Sequence, residues 1–208
     1  MANLVSLIRT LLGLLVISLL FIQTQTVYIL CFILTIFVIA MDALDGYLAR
    51  KFNESSKLGA VIDILGDRIV EQIYWVSFLA LGWLPLWVPL VVIVRGIVVD
   101  GLRSMALEQG FTAFGSSSMQ QSRMGRLLVS SNFSRTTYAV AKAAAFAFLI
   151  LGHTPGFTPE AQATIILVGL VSAYVSVAFC VVRGLPVLVE GRRFLADEPA
   201  KPGLNEHV

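Results

Sequence analysis

The sequence contains little charge for its length. Only 13% of its 208 residues are charged and 57% are hydrophobic, whereas an ordinary soluble domain carries about 25% charged residues. The net charge is only +2, which gives no support for a nucleic-acid partner. These values argue against a soluble fold and favour a protein embedded in a lipid bilayer.

Cysteine and histidine are scarce as well. The two cysteines, Cys31 and Cys180, fall in apolar segments, where a free cysteine behaves as a small hydrophobic residue. The two histidines, His153 and His207, lie far along the chain from the acidic residues discussed below. The sequence therefore offers neither a disulfide framework nor the nitrogen and sulfur ligands that favour zinc.

Long apolar runs are abundant. A helix that crosses a bilayer needs about 20 mainly apolar residues, and such runs occupy residues 4–22, 27–48, 60–82, 84–107, 136–152 and 162–183. They predict an all-α integral membrane protein with six transmembrane helices. Residues 1–190 are expected to form a single domain, followed by a polar and mobile tail at residues 191–208.

Two other segments invite a different interpretation. The first apolar run follows Arg9 as in a signal peptide, but residues 23–26 offer no small-residue cleavage site, so we expect a retained first helix. The stretch 110–134 is rich in glycine and serine and carries Arg123 and Arg126 beside apolar residues. This composition is typical of a short helix that lies in the membrane interface.

The basic residues predict the orientation in the membrane. The breaks at residues 23–26, 83–88 and 153–161 contain no lysine or arginine. The alternate breaks hold nearly all of them: Arg50, Lys51, Lys57, Arg103, Arg123, Arg126, Arg135, Arg183, Arg192, Arg193 and Lys201. Because cytoplasmic loops are enriched in basic residues, both termini are expected in the cytoplasm, and this arrangement requires an even number of spans.

Four aspartates stand out, because a charge within a span costs roughly 2.5 to 3.5 kcal/mol. Asp42 and Asp45 lie three residues apart near the end of the second predicted helix, and Asp63 and Asp67 lie four residues apart near the start of the third. Residues at these spacings share a helix face. If the two helices form a hairpin, the four carboxylates meet at the cytoplasmic boundary.

Such a group of carboxylates needs compensating cations, because the charges would otherwise repel in a medium of low dielectric constant. Carboxylate oxygens favour hard divalent cations, so Mg²⁺ is expected, with Mn²⁺ or Ca²⁺ as alternatives. Mg²⁺ often completes its coordination with substrate phosphates. The pattern therefore predicts two divalent cations that neutralise a pyrophosphate and stabilise a displacement at phosphorus.

The same region resembles a known family. A pattern of DxxDGxxAR, eight residues, then GxxxDxxxD is matched at every fixed position by Asp42, Asp45, Gly46, Ala49, Arg50, Gly59, Asp63 and Asp67. This is the signature of the CDP-alcohol phosphotransferases. The resemblance implies a six-helix membrane enzyme, with an N-terminal segment partly in the interface and a homodimer as an option. It would transfer a phosphatidyl group from CDP-diacylglycerol to a small alcohol and release CMP in phospholipid biosynthesis.

The resemblance also implies roles for individual residues. The four aspartates would bind the metals, and Asp67 would also take the proton from the acceptor hydroxyl. Gly46, Ala49, Arg50 and Gly59 would hold the CDP moiety, with Arg50 contacting phosphate oxygens. The small residues among them could equally serve close helix packing in lipid.

The acceptor is suggested by a second set of residues. Arg95 and Arg103 lie about two turns apart in the fourth predicted helix. They could clamp the phosphate of an acceptor or pair with acids of neighbouring helices. Residues 93–110, with Arg135 at the start of the fifth helix, resemble bacterial phosphatidylglycerophosphate synthases, which implies glycerol-3-phosphate as the acceptor. Residues 63–68 are more similar to inositol-transferring relatives, so inositol or its phosphate is the alternative.

Several intramembrane side chains have simpler interpretations. Glu71 could pair with Lys142 or Arg95, or line the acceptor pocket. Asp100 is expected to pair with Arg103 at the i+3 spacing. A further prediction is an aromatic belt at the membrane face opposite the basic residues, formed by Trp75, Trp83 and Trp87.

A small transporter or ion pathway is the main alternative to an enzyme, since acids within spans often mark ion routes. Such a protein would place its charges near the middle of the bilayer, often in broken or repeated helices. Here the four aspartates gather at one boundary and no internal repeat is visible. A purely structural protein is disfavoured too, because four acids without a ligand would be costly.

Overall fold

The computed structural model describes residues 2–52, 57–108, 122, 128–129 and 131–192. Within these ranges only the backbone is described at residues 2–4, 42–52, 57–60, 62–63 and 132. Most of the segment 110–134, where an interfacial helix is predicted, and most of the predicted polar tail lie outside the described residues. The single-domain assignment stays a prediction.

The described residues form six α-helices, and a 3-10 turn at Leu20–Ile22 follows the first of them. The helices are α1 (Ala2–Leu19), α2 (Gln25–Phe52), α3 (Lys57–Ala80), α4 (Trp87–Glu108), α5 (Asn132–Gly152) and α6 (Pro159–Gly191). No strand occurs among the residues described, so the prediction of an all-α protein is confirmed. Each helix covers one of the six apolar runs.

Hydropathy supports only part of the predicted membrane topology. Among the described helices, the segment Val5–Ile22 and α6 are long and apolar enough to cross a membrane, while the apolar part of α2, Gln25–Met41, is shorter. Helices α3, α4 and α5 contain charged residues such as Glu71, Arg95 and Lys142, which lower their hydropathy. Six spans therefore stay a proposal.

Helices α1 and α3 run parallel and pack closely through two glycines. A Cβ atom at Gly66 would collide with the Thr10 side chain, and one at Gly13 would lie 3.0 Å from the Val70 methyl groups. Small residues allow helix backbones to approach in this way. The contacts fix the register of α1 on α3, and the side chains near residues 9 and 67 meet as a result.

Helix α6 is packed against α4 and α5 by the same device. A Cβ atom at Gly184 would lie 3.0 Å from the Arg95 side chain of α4, and one at Gly169 would lie 2.9 Å from the Leu149 backbone nitrogen of α5. The turn before α6 is short, and Thr158 caps the helix by accepting a hydrogen bond from the Ala161 backbone nitrogen. These contacts bring arginines of α4 and α6 to one end of the bundle.

The middle of the bundle is an aromatic core. Trp75 and Phe78 have no exposed surface, and the Tyr74 and Phe146 rings stack with their centroids 4.6 Å apart. With Glu71, the three aromatic residues of α3 follow the i, i+3, i+4, i+7 spacing of one helix face. The prediction that Trp75 belongs to an interfacial belt is therefore wrong, because this face points into the bundle.

Beyond this core lies what we call the aromatic end, formed by the α3–α4 and α5–α6 turns. The Trp83 ring stacks on the His153 ring at 4.1 Å and meets the Tyr28 ring edge-on at 5.7 Å. Trp87 stacks on Tyr174 at 5.5 Å. Burial lowers the pKa of His153. The opposite end, where α2 ends and α3 begins, is called the polar end.

Candidate active site

The helix bounds place the four signature aspartates in the last turns of α2 and the first turns of α3. Asp42 lies ten residues before the end of α2, and Asp67 lies ten residues after the start of α3. With a rise of 1.5 Å per residue, each lies about 15 Å along its helix from that end, whereas Asp45 and Asp63 lie about 10 Å from it. The helix geometry thus fits the predicted grouping at the polar end.

Asp67 is the one signature aspartate whose side chain is described. The side chains of Asp42, Asp45 and Asp63 fall outside the description, so their meeting with Asp67 stays a prediction. Among the side chains that are described, no group of three or more His, Cys, Asp or Glu residues could hold a metal ion. Three of the four predicted ligands are not among those side chains. The set consists of oxygen donors, which suits a divalent cation.

The residues predicted to contact CDP are also described by their backbone only. Gly46, Ala49 and Arg50 lie in the last two turns of α2, and Gly59 lies in the first turn of α3. They therefore lie on both sides of residues 53–56 in the chain. Their side-chain surroundings lie outside the described part of the chain, and their role in binding CDP stays a prediction.

Asp67 contacts a buried cation that the sequence reading did not assign to the site. Arg9 of α1 donates from its Nη2 to Asp67 Oδ1 at 2.5 Å. The Arg9 side chain is only 3% exposed, while the Asp67 side chain is 44% exposed. The aspartate can therefore face a substrate while one of its oxygens is held by the arginine.

A cavity opens beside Asp67. Its volume is about 140 Å³, and helices α1, α2, α3 and α5 supply its walls. The Arg9–Asp67 pair lines it, as do Glu71, one turn further along α3, and its partner Lys142. A cavity of this size holds a small organic molecule. Because both charged and apolar side chains line the cavity, it suits a reactant that has a polar part and an apolar part.

Glu71 is the centre of a buried polar network in this cavity. Lys142 Nζ donates to Glu71 Oε2 at 2.9 Å, and Tyr138 OH donates to Glu71 Oε1 at 2.7 Å. Of the partners considered for Glu71, the structure selects Lys142. A buried carboxylate held by a cation and a hydroxyl is compensated, whereas an unpaired one would be costly.

Four arginines of the bundle interact electrostatically and are called the arginine cluster. They come from α3, α4 and α6, and they are Arg68, Arg95, Arg103 and Arg183. Asp100 accepts a hydrogen bond from Arg68 at 3.3 Å and lies 4.0 Å from Arg103. The predicted Asp100–Arg103 pair is therefore confirmed. Two described carboxylates, Asp100 and Glu71, interact with the cluster through Arg68, so its four guanidinium groups outnumber them.

Arg95 is the member of the arginine cluster best suited to a ligand. Its Nε atom is buried and has no hydrogen-bond partner within the described part of the chain. Its side chain packs against Gly184 of α6, so it points toward the bundle, as predicted. A buried donor without a partner is costly, and an anion would satisfy it.

Arg183 and Arg135 extend the basic surface toward α5. Arg183 donates to Ser134 Oγ at 3.4 Å and to the Val129 carbonyl at 3.3 Å. Its guanidinium also lies 5.6 Å from the centre of the Tyr138 ring. Arg135 is exposed in the first turn of α5 and interacts electrostatically with Arg183. The third predicted acceptor residue thus lies at the rim of the cluster.

Sequence reasoning missed Arg9, Arg68 and Arg183 as members of the site. Arg9 could have been recognised from the sequence, because a charged residue in an otherwise apolar helix often belongs to a functional site. Arg183 was placed at the end of a span, but α6 continues for eight more residues, to Gly191. Its position inside the helix brings it back to the cluster.

Comparison with known proteins decides the family. The model of the CDP-alcohol phosphatidyltransferase family matches residues 1–182. The chain belongs to the CDP-alcohol phosphatidyltransferase family. This match includes the α2–α3 hairpin and all residues of the arginine cluster except Arg183. Members of the family are membrane-associated and generally use divalent metals.

Curated members of the CDP-alcohol phosphatidyltransferase family are similar over part of the chain. A CDP-diacylglycerol–glycerol-3-phosphate 3-phosphatidyltransferase of Pseudomonas fluorescens is 35% identical over 115 residues, which cover 54% of this chain and 59% of the relative. A protein of the same name from Treponema pallidum is 27% identical over 128 residues, 62% of this chain and 56% of the relative. The matches thus span between half and two thirds of these relatives.

A family member with a different printed acceptor is also similar. A probable CDP-diacylglycerol–inositol 3-phosphatidyltransferase of Arabidopsis thaliana is 37% identical over 92 residues, which cover 40% of this chain and 39% of the relative. Both acceptor types that the sequence suggested are therefore represented among its relatives.

Proposed function

We propose that this protein transfers a phosphatidyl group from CDP-diacylglycerol to a small phosphorylated alcohol and releases CMP. The first candidate acceptor is glycerol-3-phosphate, which would give phosphatidylglycerophosphate. The observation that carries the proposal is the position of Asp67, which lines a cavity and directly precedes Arg68 of the arginine cluster. A carboxylate base beside an anion site is what a phosphorylated acceptor requires.

The metal site is proposed on the α2–α3 hairpin. Asp42, Asp45, Asp63 and Asp67 would hold two Mg²⁺ ions, with Mn²⁺ as a substitute. When bound, the ions would neutralise the pyrophosphate of the CDP-lipid and the charge that develops on the leaving CMP. The similar distances of the two aspartate pairs from the end of α2 and the start of α3 support this assignment, as does the family's general use of divalent metals.

Asp67 is the proposed base. It would accept the proton of the acceptor hydroxyl while that oxygen forms a bond to the lipid-side phosphorus of CDP-diacylglycerol. The bond between this phosphorus and the bridging oxygen breaks, and CMP leaves with that oxygen on its phosphate. The proton on Asp67 then passes to solvent, which its exposed side chain permits.

The arginine cluster is proposed to bind the phosphate of the acceptor. Arg95 and Arg103 would donate to its oxygens, and Arg135 would attract it at the rim. The unpartnered Nε atom of Arg95 supports this role. An acceptor without phosphate, such as inositol, would leave this charge without an anion, so a phosphorylated acceptor is favoured over free inositol.

CDP is proposed to lie along the end of the hairpin. Gly46, Ala49 and Gly59 would let the nucleotide approach the backbone, and Arg50 would contact a phosphate oxygen. The signature match carries this proposal, since these residues occupy four of its fixed positions.

The membrane arrangement follows from the basic residues. We propose six spans, with both termini and the polar end in the cytoplasm, where CDP-lipid headgroups and soluble acceptors meet. Charges in α3, α4 and α5 would be shielded inside the bundle, which the pairing of Glu71 with Lys142 supports. The resemblance adds a homodimer, which mass measurement in lipid nanodiscs would test.

One assay separates the candidate acceptors. Purified protein in CDP-diacylglycerol vesicles with Mg²⁺ receives glycerol-3-phosphate, inositol phosphate, inositol or serine in separate tubes, and the lipid product is identified by mass spectrometry. We expect CMP release and phosphatidylglycerophosphate in the first tube. Product with inositol phosphate alone would move the assignment to the second acceptor. Absence of CMP release with every acceptor would refute the proposed activity.

A further inference from the structure

We propose that Arg9 is a positioning residue that sets the direction of the Asp67 carboxylate for proton transfer. This inference rests on the proposed function, because it concerns the residue assigned as base. It assigns a role in the site to α1, which carries no residue of the family signature. Three features support it: the burial of Arg9, the packing around it, and the opposite changes in cation binding and proton transfer that its removal should cause.

The first feature is burial. The Arg9 side chain is 3% exposed in a helix that is otherwise largely apolar. A guanidinium in such surroundings is strongly unfavourable unless a carboxylate compensates it. Asp67 supplies that carboxylate through a bond of 2.5 Å. The contact is a charge-assisted hydrogen bond, the strongest kind that two side chains make.

The second feature is the packing that holds Arg9 in place. Thr10 follows it directly and lies against Gly66, the residue that precedes Asp67. One turn later, Gly13 lies against Val70. With α1 fixed to α3 at both points, the guanidinium meets Asp67 from a defined side. One oxygen of the carboxylate is therefore held, and rotation of the side chain is restricted.

The restriction matters because Asp67 also lines the cavity. A general base works only within hydrogen-bond reach of the proton that it abstracts. Misplacement by about 1 Å can reduce the rate by about 100-fold. Arg9 would prevent such misplacement by holding the carboxylate of Asp67.

The third feature is the sign of the charge. A fixed positive charge beside a metal ligand opposes the binding of another cation. Removal of the Arg9 charge should therefore strengthen cation binding while it slows proton transfer. A residue that only anchors α1 would behave differently, since its loss should loosen the site and weaken both properties together.

The experiment compares Arg9→Gln and Arg9→Lys with the wild type in lipid nanodiscs. The control is Ser18→Ala, which removes an exposed hydroxyl on α1 that donates to the Leu14 carbonyl. Steady-state assays give kcat and the KM of each substrate. Electron paramagnetic resonance of added Mn²⁺ gives cation affinity without turnover, and thermal melting reports folding.

For Arg9→Gln we expect kcat to fall by about 10- to 100-fold, with each KM within about threefold of the wild type. Mn²⁺ should bind at least as tightly as in the wild type, and on the order of tenfold tighter if the charge is close. Arg9→Lys should recover part of kcat, because it keeps the charge but lacks the planar fork. Ser18→Ala should match the wild type throughout.

Other outcomes are equally decisive. Wild-type kcat in Arg9→Gln would overturn the role of Arg9, and so would a joint loss of kcat, Mn²⁺ affinity and melting temperature, which would identify a structural anchor. If Arg9→Gln does not fold, Arg9→Lys decides alone: a folded variant with wild-type kcat would overturn the proposal. A wild-type protein that makes no phospholipid would instead refute the proposed function.

Discussion

The two ends of the helix bundle are held together by different forces. At the polar end, charged pairs such as Arg9–Asp67 and Lys142–Glu71 join separate helices. At the aromatic end, rings stack, as Trp83 does on His153. Ring packing is stable without a ligand, whereas buried charges are costly unless they are matched. The proposed reaction thus belongs to the polar end, where the burial of charge costs more free energy than ring packing does at the aromatic end.

Helix α3 contains both kinds of contact, charged pairs and ring packing, within three turns. Asp67, Arg68 and Glu71 belong to the polar end. The aromatic residues Tyr74, Trp75 and Phe78 follow, and the first of them lies three residues after Glu71. The aromatic residues are buried and make close ring contacts. A rigid aromatic core directly below the charged residues gives the site a firm base, which a positioned catalytic group requires.

The largest expected effect of breaking the polar end is at Asp67. Asp67→Asn should lower kcat by about 100- to 10,000-fold, the contribution of a general base, because the amide cannot accept the proton. The measurement is CMP release from CDP-diacylglycerol vesicles at saturating acceptor. His153→Phe, at the aromatic end, is the control and should keep normal turnover. Near-normal turnover of Asp67→Asn would assign proton transfer to another group.

The next effect is on acceptor binding. Arg95→Ala or Arg103→Ala should raise the KM of a phosphorylated acceptor by about 10- to 100-fold, since each removes charge-assisted hydrogen bonds worth about 1.5 to 3 kcal/mol. The KM of CDP-diacylglycerol should change much less. Arg192→Ala, at an exposed position after α6, is the matched control. Equal changes in both KM values would indicate that the arginines serve structure instead.

A third variant tests stability at the polar end. Lys142→Met leaves the Glu71 carboxylate, which is 8% exposed, without its cation. We expect a loss of about 1 to 3 kcal/mol in the free energy of unfolding. The double variant Glu71→Gln with Lys142→Met should recover most of it, because no charge then remains buried. Denaturant unfolding in detergent measures both. Equal stability of the single variant and the wild type would mean that water compensates Glu71.

The smallest effect is expected at the aromatic end. Burial lowers the pKa of His153 below its ordinary value, so the neutral ring is favoured in the folded protein. Stability is therefore complete above about pH 6.5 and is lost as the pH falls through the lowered pKa. We expect a small decrease in Tm between pH 7 and pH 5 that His153→Phe abolishes. An unchanged decrease in the variant would assign it to other groups.

The sequence was sufficient for the helices and for the family. Apolar runs of about 20 residues predicted all six helices of the described chain, because burial in lipid leaves a continuous hydrophobic signal. Local spacing also predicted the Asp100–Arg103 pair, since residues three apart share a helix face. The signature identified the four aspartates, although the structure describes the side chain of Asp67 alone among them.

What the sequence could not give depends on register between helices. The pairing of Arg9 with Asp67 joins residues 58 positions apart and follows from the seating of Thr10 on Gly66. Trp75 was misassigned because composition does not tell which face of α3 points inward. Its spacing from Tyr74 and Phe78 carried that information. Arg183 joined the arginine cluster only because α6 is longer than its apolar run.

The parallel packing of α1 on α3 has a consequence for biogenesis. Asp67 is synthesised 58 residues after Arg9, which at 5 to 20 residues per second is a delay of about 3 to 12 seconds. During this interval the counterion of Arg9 is not yet made. In the proposed topology the guanidinium then lies near the inner leaflet, whose anionic headgroups would neutralise it, so the yield of assembled protein should depend on the lipid composition of the host.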